Sequence, residues 1–126
     1  MKLVREEPES AALRQFVAGA DLVTCELVLT ELPRALRRAA SLDPRLSAGG
    51  MISRIAELLS AIALLPLDRS LLLAAGALVE PSLRALDAIH IAAAIDALPH
   101  DGFVSYDERQ SATGRLVGLR TFAPQA

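Results

Sequence analysis

Between Leu83 and Leu98 the sequence is apolar nearly all round, and only Arg84, Asp87, His90 and Asp96 break the run. A helix with that pattern has no face to give to water, so it must be covered on several sides. The chain has 126 residues, enough for one compact domain with a real core and too few for two. The cover must therefore come from the rest of the same domain. Four short apolar runs read as strands: Asp21–Cys25, Ala63–Leu67, Gly102–Tyr106 and Leu119–Ala123. Strands separated by helices predict a parallel sheet covered on both faces, which is the α/β class.

Helical periodicity fills the intervals. A first helix starts at Pro8, with Leu13, Phe16 and Val17 at helical spacing, and Gly19 closes it. From Glu26 to Ala40, Leu29, Leu32 and Leu36 share one stripe and Arg34, Arg37 and Arg38 lie opposite. Pro33 removes the N–H that would bond the Leu29 carbonyl, which predicts a kink or break beside Glu31. Asp43-Pro44 and Gly49-Gly50 read as a loop. A further helix carries Ile52, Ile55, Leu58, Leu59 and Ile62. Asp68 is the expected N-cap of a helix through Val79, which Pro81 stops. Asp107 to Gly114 reads as a short helix or turn.

Hydrophobic residues make up 52% of the chain and mean hydropathy is +0.38, which excludes intrinsic disorder. The longest uncharged stretches, Leu58–Leu67 and Ser70–Val79, are half a membrane span. The charged start Met1–Glu9 does not fit a secretory signal. A soluble, cytoplasmic protein is expected. A lone Cys25 neither staples the chain nor builds a thiolate metal site. The net charge of −2 excludes a strongly basic nucleic-acid-coating chain. Its distribution is uneven. Residues 34–54 hold 5 basic and 1 acidic side chains, residues 55–108 hold 2 and 8, and residues 109–126 hold 3 and 0. An acidic middle between basic edges suits carboxylates on a metal with arginines on phosphates, or simply a solvated surface.

Three acids carry the candidate chemistry. Asp87 lies early in the apolar helix, where an unpaired carboxylate is costly to desolvate. It reads either as a metal ligand or as a first-turn acid paired with Arg84. Asp107 follows the strand that ends at Tyr106, and the carboxyl ends of parallel strands border ligand crevices. Asp107-Glu108-Arg109-Gln110 also matches a capping box, with Asp107 as N-cap and Gln110 at the third helical position. Glu31 precedes Pro33 and reads alone as a surface ion pair with Arg34. His90 shares a face with Asp87 and reads as a hydrogen-bonded core histidine or as a ligand. Three carboxylates from three elements suit a hard cation such as Mg²⁺ or Mn²⁺. There is no Gly-rich phosphate loop, nucleophile elbow or HExxH motif, and the four aromatics do not suit base stacking.

The blocks Thr30-Glu31-Leu32, Leu86-Asp87-Ala88-Ile89-His90-Ile91-Ala92 and Val104-Ser105-Tyr106-Asp107 resemble those of PIN-domain ribonucleases of the VapC toxin type, in order and in spacing. The likeness runs from about Met1 to Thr121. It implies a three-layer α/β/α domain over residues 1–126 and Mg²⁺- or Mn²⁺-dependent cleavage of RNA. It also implies inhibition by a cognate antitoxin, frequent homodimers, and DNA contact only through the antitoxin. Carried over by motif, Glu31, Asp87 and Asp107 are three of the family's four acidic positions. The family's first, central strand and its aspartate have no counterpart, because Met1–Glu9 resembles the end of the following helix and its loop. The expectation is therefore a natural chain that begins upstream of Met1, with a degenerate copy as the alternative.

Two functions follow as expectations. One is a metal-dependent endoribonuclease toxin in which Glu31, Asp87 and Asp107 hold the ion and Arg34, Arg37, Arg38, Arg109 and Arg115 contact RNA. The other is a catalytically silent module that binds an antitoxin helix in an apolar groove.

Overall fold

A computed structural model describes residue 15 and residues 18–45 and 48–125. The expected first helix falls almost wholly outside them. The chain divides into two compact units, residues 1–64 with 125–126, and residues 65–124.

Among the described residues the first unit holds β1 (Leu22–Cys25), α1 (Val28–Leu42), α2 (Ala48–Ser60) and all but the last residue of β2 (Ile62–Leu65), and β1 pairs with β2. Helix α1 runs on through Pro33 without the expected break. Proline forfeits only the bond to the Leu29 carbonyl. Buried Leu32, Leu36 and Ala39 anchor the helix on both sides of it. These three join Ile55 of α2 in one apolar cluster, with Val28 and Leu59 against it. Leu29, expected on the same stripe, is 46% exposed. The inward stripe thus follows Leu32, Leu36 and Ala39. Gly49 and Gly50 are not loop residues but form the first turn of α2. The turn at Asp43-Pro44 follows α1, and the Asp43 carboxylate accepts from both the backbone N–H and the guanidinium of Arg45 at 3.0 Å.

The second unit holds α3 (Arg69–Gly76), α4 (Ala85–Asp96), β3 (Phe103–Val104), α5 (Glu108–Leu116) and β4 (Thr121–Phe122). Asp68 caps α3 as expected, its Oδ1 accepting the Leu71 N–H at 2.8 Å. The helix stops at Gly76, short of Val79. Helix α4 packs on α3 and on α5, and α5 packs on β4. It buries Ala88, Ile91, Ala92 and Ala93. Leu86 remains 49% exposed, so the helix is less completely covered than its composition predicts. The β3 and β4 strands are parallel, with Phe103 opposite Thr121 and Val104 opposite Phe122.

The end of α5 shows how tightly the sequence scripts its turns. The Leu119 N–H donates to the Gly114 carbonyl at 2.8 Å and the Gly118 N–H to the Arg115 carbonyl at 3.1 Å. Gly118 has φ of +94° between them. This is the Schellman arrangement, which turns the chain sharply through a left-handed residue. Leu119, 4% exposed, is delivered into the core as the strand begins.

Candidate active site

Two helices of the second unit begin close to each other, and their first residues carry the acids singled out above. The turn Glu80-Pro81-Ser82-Leu83 leads into α4, closed by the Leu83 N–H on the Glu80 carbonyl at 3.3 Å. Proline at its second position suits such a turn. The Glu80 carboxylate accepts from both the hydroxyl and the N–H of Ser82, at 2.6 and 3.0 Å. Those bonds, with a smaller contribution from Arg109, hold its pKa below the usual carboxylate value. Arg84, in extended conformation, is the N-cap of α4, and Asp87 falls in the first turn.

Asp107 is the N-cap of α5, as expected. Its Oδ1 accepts the Gln110 N–H at 3.0 Å, which leaves Oδ2 for other ligands. The return half of the capping box differs from the simple form. Rather than reaching the Asp107 N–H directly, Gln110 accepts the Ser105 hydroxyl through Oε1 at 2.6 Å. Ser105 Oγ then takes the Asp107 N–H at 3.1 Å. A hydroxyl is interposed where the box has a single bond, because Gln110 also turns its Nε2 toward the Asp87 carbonyl at 3.4 Å.

Leu83, Arg84, Asp87, Asp107, Glu108 and Arg109 line an open depression of about 290 Å³. Three carboxylates stand at two helix N-termini, where the positive end of the helix dipole faces them. Two guanidiniums share the rim. Oxygen donors of this kind fit Mg²⁺ or Mn²⁺, which take one or two carboxylates and complete their shell with water and phosphate oxygen. The structure thus brings Asp87 and Asp107 together around one depression. Glu31 belongs to the other unit, in the first turn of α1. Among the described residues, no group of three His, Cys, Asp or Glu side chains is placed to hold one ion.

The expected RNA-contacting arginines divide. Arg34, Arg37 and Arg38 are exposed on α1. Arg109 is exposed at the depression. Arg115 is engaged within its own unit, bonding Glu108 Oε1 at 3.0 Å and Thr121 Oγ1 at 3.2 Å. His90 is half-buried on α4. Glu108, Ser105 and Gln110 carry no site signal of their own in the sequence. The capping-box spacing marked Gln110 as structural, and nothing in the spacing showed that its side chain reaches across to α4.

Acids at two helix N-termini beside arginines, in an α/β chain with a parallel strand pair, make up the candidate site. The family follows from comparison. The model of the PIN domain matches residues 1–116. Ribonuclease VapC47 of Mycobacterium tuberculosis (strain CDC 1551 / Oshkosh) is 34% identical over 131 residues, covering 99% of this chain and 91% of its own. Ribonuclease VapC46 of Mycobacterium tuberculosis (strain ATCC 25618 / H37Rv) is 35% identical, covering 98% and 91%. Ribonuclease VapC35 is 31% identical, covering 98% and 90%. No solved structure matches. The chain belongs to the PIN-domain family and is similar to its VapC ribonucleases. No helix among the described residues is long and apolar enough to cross a membrane.

Proposed function

We propose that this chain is a cytoplasmic endoribonuclease toxin, dependent on Mg²⁺ or Mn²⁺ and neutralised by a cognate antitoxin. The observation that carries the reading is the shared depression of Asp87 and Asp107 at two helix N-termini, rimmed by Arg84 and Arg109. The relatives' ribonuclease names supply the substrate class. Asp87 and Asp107 Oδ2 are the proposed metal-holding groups, and Glu31 joins them on its motif alone. Such an ion, when bound, polarises the scissile phosphate and acidifies a water. Arg109 orients the RNA backbone by charge-assisted hydrogen bonds to phosphate oxygens, with Arg34, Arg37 and Arg38 as further backbone contacts. Arg115 contributes only after releasing Glu108.

We place the whole chain, residues 1–126, in one PIN-like domain that forms homodimers and meets DNA only through the antitoxin. An apolar groove of about 480 Å³ between α1 and α2 is lined by Pro33, Leu36, Arg37, Ala40, Ile52 and Ile55. Beside the exposed arginines of α1 it suits an acidic amphipathic antitoxin helix. The second reading, a silent antitoxin-binding module, draws on the lack of a three-acid group among the described residues.

One experiment separates the readings. Purified protein is titrated with Mn²⁺ while RNA cleavage and thermal unfolding are followed, beside Asp87→Ala. Cleavage that needs Mn²⁺ and is lost in the variant, with its circular dichroism unchanged, supports the toxin. Stabilisation by Mn²⁺ without cleavage supports the module. Undiminished cleavage by Asp87→Ala overturns the site.

A further inference from the structure

Gln110 lies in the first turn of α5 and is only 8% exposed. Three of its polar groups meet three different partners. Its N–H serves Asp107 Oδ1 at 3.0 Å, its Oε1 takes the Ser105 hydroxyl at 2.6 Å, and its Nε2 donates to the Asp87 carbonyl in a long bond of 3.4 Å. Ser105 closes the circuit by accepting the Asp107 N–H at 3.1 Å. One buried residue thus reaches Asp107 twice, through its own backbone and through Ser105, and reaches Asp87 across the packing of α4 on α5. An apolar side chain would fill the same space with no partners to satisfy. What the amide adds is direction, because a buried polar network is stable only in the geometry that satisfies each member.

We propose that Gln110 is a positioning residue, fixing the separation of the Asp87 and Asp107 carboxylates by tying the first turn of α4 to the N-cap of α5. This rests on the nuclease reading for what the two carboxylates hold, and adds a residue that touches neither ion nor RNA.

Two variants test it: Gln110→Met, of similar length without the amide, and Gln110→Asn, an amide too short to span both partners. Both keep the backbone cap. Mn²⁺ affinity is measured by calorimetry on the full chain, RNA cleavage by steady-state kinetics, and folding by circular dichroism. Loss of the hydrogen bonds weakens Mn²⁺ binding about three- to tenfold in each variant. At saturating Mn²⁺, kcat falls while KM for RNA stays unchanged. Wild-type Mn²⁺ affinity and kcat in a folded variant overturn the proposal while leaving the nuclease reading intact. Should Gln110→Met fail to fold, Gln110→Asn decides by the same criterion. Wild-type protein that neither binds Mn²⁺ nor cuts RNA overturns the nuclease reading, and this proposal with it.

Discussion

Gly102 lies against the ring of Phe122 with no room for a side chain between them. A Cβ built there would fall 2.6 Å from Phe122 Cδ2 and 3.1 Å from the Arg120 carbonyl. The ring is also flanked by the Arg120 guanidinium, 5.4 Å from its centroid. Gly102→Ala must therefore push β4 away from β3 or rotate the ring. Overpacking of this kind costs about 1–3 kcal/mol. Urea denaturation of the variant should show that loss, and an unchanged midpoint would mean that Phe122 moves freely.

Asp107 lends itself to a separation of structure from chemistry. Asparagine keeps an oxygen for the Gln110 N–H but loses the charge. Asp107→Asn should leave stability within a few tenths of a kcal/mol, because Asn and Asp are comparable N-caps, and should abolish cleavage. Asp107→Ala should lose activity and about 1 kcal/mol of stability as well. Thermal melts beside RNA cleavage assays read both effects. Full activity in Asp107→Asn would remove this carboxylate from the site.

Asp68 provides a control with no chemistry attached. Its Oδ1 on the Leu71 N–H is the same device as Asp107 on Gln110, without a proposed ligand nearby. Asp68→Ala should cost about 1 kcal/mol with cleavage per folded molecule unchanged. The measurement is a denaturant titration paired with active-site-normalised rates.

Cys25 predicts an alkaline limit. The thiol is 0% exposed. Burial pushes its pKa above the ordinary value of 9.0, and the nearby charges of Glu31 and Glu26 add to this, against the Leu27 N–H. Between the ordinary and raised values the unfolded chain gives up a proton that the folded chain keeps. The stabilisation is therefore whole below pH 9.0 and is lost as pH rises through the folded value. Denaturation at successive alkaline pH values should show this decline, and Cys25→Ala should flatten it. The native thiol should also resist a disulfide reagent until the protein unfolds; rapid labelling of folded protein would contradict its burial.

Much of the local structure around the candidate site is legible in the sequence because local rules govern it. The caps at Asp68 and Asp107 follow from short polar residues ahead of helical segments, and both are made as expected. The strand cores follow from apolar runs bounded by turn residues. What local rules could not show is how one element meets another. Leu29 and Leu32 are equally apolar, and only the packing of α1 on α2 decides that Leu32 turns inward. Pro33 breaks a helix by propensity, yet the burial of Leu32, Leu36 and Ala39 outweighs it. Gly49 and Gly50 look like a loop until the helix begins with them. Gln110 is the sharpest case: its backbone role was written in the spacing, and its reach to Asp87 was not.

Helix α4 turns alanines toward its neighbours, with Ala88, Ala92 and Ala93 all buried. Side chains that end at Cβ let adjoining backbones approach closely and leave no rotamer to swing aside. A single added methyl in that seam would have to push a neighbouring helix away. Leu86, 49% exposed on the outward flank of the same helix, carries no such constraint and tolerates a change of size.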